Sequence, residues 1–139
     1  MTSDLELDLE LYRREVRVST KPLVRLSAID IAPDHAQRTL IFLHGFGGQA
    51  TQWRYQLGHF AVANRVIAVD LRGHGRSERA TGNYTMEEIQ SDLAQLISIL
   101  KVEPGFVLVG HSFGGAVATE YAVAHPDDVS QLILIATAG

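Results

Sequence analysis

The chain has 139 residues, of which 46% are hydrophobic and 20% charged, and its formal net charge is −4. This composition is typical of one globular domain, and the mildly acidic, evenly spread charge excludes a basic surface for nucleic acid or anionic lipid. Cysteine is absent, which excludes disulfides and thiolate chemistry.

The N-terminal segment alternates leucine with acidic residues from Leu5 to Leu11. A period of two predicts a half-buried strand, and a second extended segment is predicted over 23–31. The N-terminal segment has neither the basic nor the apolar region of a signal peptide, and no apolar run in the chain has the length of a membrane span. We therefore expect a cytoplasmic protein with no membrane or nucleic-acid partner.

Four later apolar runs lack polar alternation, as expected of strands buried on both faces of a parallel sheet. They are TLIFLHG (39–45), RVIAVDL (65–71), GFVLVG (105–110) and QLILIAT (131–137). Helices are predicted between them, over 49–62, 85–100 and 115–125. Thr85 and Glu88 form a capping box at the start of the second helix. Strands that alternate with helices predict an α/β fold, a mostly parallel sheet with flanking helices.

The third apolar run meets the third helix at Gly110-His-Ser-Phe-Gly114, which fits the pattern G-x-S-x-G. A serine at such a strand-to-helix junction is typical of a nucleophile elbow, a strained turn that lifts the hydroxyl clear of the sheet. Gly110 and Gly114 omit side chains where strand and helix pass closely. The alternative is that Ser112 only caps the helix. The strand–helix context and the motifs below favour a nucleophile.

With these motifs the chain resembles the serine-nucleophile branch of the α/β-hydrolase family. HGFGG (44–48) ends the first apolar run, where the family has its oxyanion-hole loop, and DLRGHGRS (70–77) resembles the loop after the family's next strand. The resemblance implies that the backbone N–H groups of Phe46 and Phe113 hold the oxyanion. The side chains of these two phenylalanines also flank the site, where they either line an acyl pocket or only pack.

The six histidines are not expected to include the base of a catalytic triad. His44 is predicted to orient the oxyanion loop, supported by the neighbouring Gly45, and His74 to satisfy backbone groups in its own turn. His111 supports the elbow, but strand alternation turns it away from the side of Ser112. The remaining histidines are predicted at the surface or far from Ser112; they are His35, His59 and His125.

The family's order of catalytic residues is Ser, then Asp or Glu, then His. By the resemblance, the acid and the base follow later strands than QLILIAT, so neither is expected in this chain. Residues 1–139 are then the N-terminal part of a single α/β-hydrolase domain, truncated after the strand that follows the nucleophile helix. A serine without a base is a poor nucleophile, so the chain alone is expected to be inactive.

The resemblance implies a serine hydrolase that acts on an ester, thioester or amide, a small-molecule acyl substrate, through an acyl-enzyme on Ser112. Haloalkane dehalogenases and epoxide hydrolases of the family have Asp where this chain has Ser112, which argues against both activities. No metal or organic cofactor is implied, and the oligomeric state is left open. The alternative function is a short non-catalytic binding module, or a subunit completed by a partner chain.

Overall fold

The computed structural model describes residues 8–20, 23–77 and 84–136. Its centre is a six-stranded sheet with the strand order β1-β2-β4-β3-β5-β6. The strands are β1 (Arg13–Thr20), β2 (Leu23–Ile31), β3 (Thr39–Leu43), β4 (Arg65–Asp70), β5 (Phe106–His111) and β6 (Val129–Ile135). The α-helices are α1 (Arg54–Phe60), α2 (Met86–Ile99) and α3 (Phe113–Ala124). The predicted α/β fold is confirmed.

The sheet is parallel from β4 through β3 and β5 to β6, while β1 and β2 are antiparallel. In β3, Leu43 is in register with Val69 of β4 on one side and Gly110 of β5 on the other. The loops that follow these three strands therefore leave the sheet at the same level. In open α/β sheets this carboxyl edge is where ligands bind.

Helices cover both faces of the sheet, which explains the unbroken apolar runs of the central strands. Ile41 and Leu43 of β3 face a core built with α2 and α3. Leu40 and Phe42, the alternate residues of the same strand, face a second core that contains Trp53 and α1. The sheet is thus the middle of three layers, and its central strands are fixed from both sides.

The helix boundaries follow local chemistry. The predicted capping box is confirmed, because Thr85 and Glu88 exchange hydrogen bonds at the start of α2. The predicted helix over 49–62 is instead a 3-10 turn, Ala50–Trp53, followed by the shorter α1. Helix α3 begins at Phe113, two residues earlier than predicted, directly after the serine of the motif.

The strand predicted from Leu5 to Leu11 is wrong over its described part. Residues 9–12 form a 3-10 helix capped by the Asp8 carboxylate, and Leu11 is 77% exposed. The first strand is β1, in which Val16 and Val18 are buried while charged neighbours face outward. Residues 1–7 lie outside the described ranges.

Strand β6 forms the sheet edge beside β5, and its side chains from Gln131 to Ile135 are exposed. Its exposed apolar residues are Leu132, Ile133, Leu134 and Ile135. In the described ranges, no helix has the length and apolar character required to cross a bilayer.

Candidate active site

Ser112 occupies the one-residue junction between β5 and α3. Its backbone has φ 54° and ψ −118°, a sparsely populated conformation for a residue with a side chain. The strained backbone predicted for this turn is confirmed. The Ser112 amide donates to the carbonyl of Ile135 in β6 at 3.0 Å, and the Ser112 carbonyl accepts from the Gly115 amide at 2.8 Å. The strained turn is therefore held by the neighbouring strand and by the first turn of α3.

Two glycines make the turn sterically possible. A Cβ on Gly110 would overlap the Gly114 carbonyl oxygen and lie 2.6 Å from the Gly115 Cα. A Cβ on Gly114 would overlap the Leu43 carbonyl oxygen and lie 2.5 Å from the His44 carbonyl oxygen. Both obstacles are backbone, which cannot rotate away. The spacing of G-x-S-x-G thus follows from the close approach of α3 to β5 and β3.

The glycine loop, residues 44–48, passes directly beside the serine. A Cβ on Gly45 would lie 3.2 Å from the Ser112 Cβ, so only glycine brings the loop this close without displacement. Within the described ranges, the amide of Phe46 has no hydrogen-bond acceptor in the protein. Phe113 is the first residue of α3, a position whose amide has no intrahelical acceptor. The oxyanion role of both amides stays a prediction.

The side chains of Phe46 and Phe113 lie close together above the glycine loop. Their ring centroids are 6.0 Å apart with the rings edge to face, and Phe46 is 81% exposed. Both line a cavity of about 550 Å³, which favours pocket lining over the alternative of packing alone. Ser112 itself is not in the described lining. The other lining residues are Gly47, Gly48, Leu71, Arg72, Gly73, His74, Gly75, Tyr84 and Ile89.

His44 is fully buried, and both its ring nitrogens are bonded to backbone. Nδ1 donates to the Gly45 carbonyl at 2.7 Å, and Nε2 accepts from the Leu71 amide at 2.9 Å. Burial lowers the pKa of His44, the largest of several influences, so the neutral ring is favoured. This geometry fits the predicted structural role in the glycine loop.

The other histidines differ in their surroundings. His111 packs edge to face on Trp53 with ring centroids 6.4 Å apart, and its buried Nδ1 has no hydrogen-bond partner in the described ranges. His125 stacks on Tyr121 at the end of α3, and His35 and His59 are exposed. Within the described ranges, the Ser112 hydroxyl makes no hydrogen bond to an imidazole, and no cluster of three or more metal-binding side chains is found.

Asp70, at the end of β4, is a site residue that the sequence analysis missed. Its buried carboxylate accepts from the amides of Ala50 at 2.6 Å and Arg76 at 3.0 Å, and it pairs with Arg13 at 3.0 Å. It therefore ties the segment after the glycine loop to the loop after β4. The sequence did contain a signal for this role. An acidic residue that ends a buried strand, immediately before a glycine-rich turn, needs hydrogen-bond donors around its carboxylate.

Arg72 anchors the loop after β4 to helix α2. Its guanidinium forms a bidentate pair with Asp92, at 2.7 and 2.8 Å, and each side chain is 6% exposed. Glu88 adds a third contact at 3.3 Å. The hydrogen bonds to Asp92 raise the pKa of Arg72 most, so the pair stays ionised. The charge of Arg72 at the cavity wall is consequently neutralised by these carboxylates.

Comparison with known proteins places this geometry in a family. The sequence model of the alpha/beta hydrolase fold matches residues 38–138. The chain is 39% identical over 100 residues to the dihydrolipoyllysine-residue acetyltransferase component of an acetoin cleaving system from Pseudomonas putida, covering 72% of this chain and 27% of that protein. It is 40% identical over 104 residues to epoxide hydrolase 3 of Xenopus tropicalis, covering 73% of this chain and 28% of that protein.

A solved structure supports the same family assignment. The thermophilic esterase from Thermogutta terrifontis superimposes with a TM-score of 0.79 at 33% identity, over 91% of this chain and 46% of the esterase. The chain thus spans about a quarter of the length of the two curated relatives and under half of the esterase. The family match covers most of the present sequence and includes the elbow and both loops. The chain belongs to the α/β-hydrolase fold family.

Proposed function

We propose that this chain supplies the nucleophile and the oxyanion-binding groups of a serine hydrolase. The observation that carries the proposal is the conformation of Ser112, a strained positive-φ serine between β5 and α3. The glycine loop with its unbonded Phe46 amide lies against the same residue. A helix cap needs neither the strain nor the loop, and Ser112 makes no side-chain capping bond.

In the proposed reaction, the Ser112 hydroxyl attacks the carbonyl carbon of the substrate while a base removes its proton. The electron pair of the C=O bond moves onto oxygen, where the amides of Phe46 and Phe113 donate to it. Collapse of this intermediate breaks the bond to the leaving group, which takes the proton from the base and departs as an alcohol, thiol or amine. The acyl-enzyme that remains on Ser112 is then hydrolysed by water. The positive end of the α3 dipole favours the same oxyanion.

The proposed substrate is a small ester, thioester or amide whose apolar part occupies the cavity beside Phe46 and Phe113. Within the described ranges the cavity wall is mainly apolar and aromatic, and the arginine that lines it, Arg72, is paired with Asp92. One relative is named an epoxide hydrolase, but the serine at position 112 favours acyl transfer. A hydroxyl forms a hydrolysable ester with an acyl group, and the family resemblance puts a carboxylate there in epoxide hydrolases.

We further propose that residues 1–139 are the N-terminal part of a single catalytic domain, located in the cytoplasm, and that other residues supply the triad acid and base. The relatives are about four times as long as the matched segment, and the Ser112 hydroxyl has no imidazole partner in the described ranges. The groups come from a C-terminal continuation or, alternatively, from a partner chain. The 139 residues alone are then inactive.

Hydrolysis of p-nitrophenyl acetate tests this proposal. The 139-residue chain is expected to hydrolyse the ester no faster than its Ser112→Ala variant, because no base activates the hydroxyl. A chain extended by a segment with the acid and the base is expected to lose at least about 10³-fold in rate on Ser112→Ala.

Two results would contradict the proposal. Extended-chain activity that survives Ser112→Ala would exclude Ser112 as the nucleophile. Rapid, Ser112-dependent turnover by the purified 139-residue chain would show that one of its own histidines supplies the base. The variant Ser98→Ala, at an exposed position of α2, is the control and is expected to match the unmodified chain.

A further inference from the structure

Two loops at the carboxyl edge of the sheet each donate a backbone amide to an imidazole of the other loop. In one direction the Leu71 amide donates to His44 Nε2 at 2.9 Å. In the other direction the Gly47 amide donates to His74 Nε2, also at 2.9 Å. The glycine loop (residues 44–48) and the Arg72 loop (residues 71–77) are therefore joined by two crossed hydrogen bonds, although their residues are 27 positions apart.

The hydrogen bonds of the other ring nitrogens define where the protons lie. His44 Nδ1 is 2.7 Å from the Gly45 carbonyl oxygen, and His74 Nδ1 is 3.0 Å from the Arg72 carbonyl oxygen. A carbonyl oxygen only accepts, so each Nδ1 carries a hydrogen. Each Nε2 accepts and therefore carries none. Both rings are neutral in this arrangement, with their centroids 4.9 Å apart.

The two rings hold the two peptide groups that meet at Phe46. The Gly45 carbonyl, bonded to His44, belongs to the same planar peptide group as the Phe46 amide. In a trans peptide the C=O and the N–H point in opposite directions, so holding the Gly45 oxygen aims the Phe46 N–H. The next peptide group is held through its Gly47 amide by His74. The direction of the Phe46 N–H is thereby constrained from both sides while the group itself stays unbonded.

We infer that His74 is a positioning residue which, together with His44, forms a reciprocal histidine clasp that aims the Phe46 amide toward the space beside Ser112. The inference rests on the proposed function only in naming this amide an oxyanion donor. The clasp itself is a statement about hydrogen bonding between the two loops. His74 acts through the backbone of the glycine loop and does not touch the reacting atoms.

Protonation opens the clasp. A proton added to either Nε2 converts an acceptor into a donor, which then faces an amide N–H and a neighbouring ring. The clasp is thus complete when both rings are neutral, and burial favours the neutral form of His44 by lowering its pKa. Within the described ranges, the charged and titratable groups around the rings are Asp70, Arg72, Arg76 and Tyr84. Asp70 pairs with Arg13, Arg72 pairs with Asp92 and Glu88, and Arg76 pairs with Glu10, which also pairs with Arg13.

Amide hydrogen exchange, followed by mass spectrometry with residue-level fragmentation, tests the clasp in the 139-residue chain. His74→Phe keeps an aromatic ring but removes both nitrogens. It is expected to accelerate exchange at the Gly47 amide by about two- to tenfold, which corresponds to the net free energy of one hydrogen bond. The Ile89 amide, which donates to the carbonyl of Thr85 at the N-cap of α2, is expected to keep its exchange rate. His74→Gln, which offers an acceptor near the position of Nε2, is expected to restore protection at Gly47.

The control His59→Phe, at an exposed ring of α1, is expected to leave Gly47 unchanged.

Unchanged Gly47 exchange in His74→Phe, an equal effect in His59→Phe, or equal acceleration at Ile89 would each overturn the inference. None of these readouts requires Ser112 to react. Failure of the clasp therefore leaves the nucleophile proposal intact, and failure of the nucleophile proposal leaves the clasp intact.

Discussion

Replacing Gly114 with alanine is expected to lower the free energy of unfolding by about 3 kcal/mol, at the upper end of the range for overpacked interiors. The new Cβ would overlap the Leu43 carbonyl oxygen and lie 2.5 Å from that of His44. Relief requires α3 to move away from β3, because backbone atoms have no alternative rotamer. That movement would also displace the elbow, since α3 begins directly after Ser112.

Denaturant unfolding of Gly114→Ala beside Gly47→Ala measures this effect. Gly47 has φ +80°, but a Cβ there would meet nothing within 4 Å. Gly47→Ala is therefore expected to cost only the backbone strain, about 1 kcal/mol. A Gly114→Ala variant that is as stable as Gly47→Ala would contradict the close packing of helix against strand on which the elbow depends.

Replacing Asp92 with alanine is the second large change, with an expected loss of about 3–5 kcal/mol in the free energy of unfolding. The substitution takes from the buried Arg72 guanidinium its bidentate partner, while the Glu88 contact is longer and lies at a more exposed side chain. The Arg72 loop is then expected to shift, and with it the Arg72 carbonyl that accepts from His74.

A double substitution separates the buried charge from the loss of packing. Arg72→Leu with Asp92→Leu removes both charges and is expected to recover most of the stability lost in Asp92→Ala, because no buried charge remains uncompensated at this pair. Glu87→Ala, at an exposed position of α2, is the control and is expected to change stability by less than about 0.5 kcal/mol. An Asp92→Ala variant as stable as this control would contradict the anchoring role of the pair.

The central part of the fold was predictable because its strands and helices carry local signals. The runs that became β3, β4 and β5 are mostly buried, the run of β6 is apolar from Leu132 to Ile135 although it is exposed, and the capping box marked the start of α2. Strand β1 was missed because it is an edge strand with charged residues on its exposed face, so Val16 and Val18 are its only strong signal. The more regular leucine alternation before it belongs in part to a 3-10 helix.

The candidate site was likewise predictable only in part. The position of Ser112 and the glycines around it followed from a contiguous motif whose steric requirements are local. The roles of Asp70 and His74 did not, because each depends on a loop that is distant in sequence: Asp70 accepts from Ala50, and His74 accepts from Gly47. An aspartate at a strand end or a histidine in a glycine-rich turn does not by itself specify a hydrogen-bond partner. Only the register of β3 against β4 brings these loops together.

Competitive labelling by a fluorophosphonate is the most direct test of the claim that the elbow presents Ser112 as a nucleophile. The 139-residue chain is incubated at mildly alkaline pH, where hydroxide replaces the base, and the modified serines are mapped by mass spectrometry. Ser91 and Ser98, both exposed on α2, serve as internal references without an elbow. We predict that Ser112 is modified faster than either reference, although it is less exposed, and that Ser112→Ala leaves only the slow background. Equal or faster modification of Ser91 or Ser98 would contradict the account.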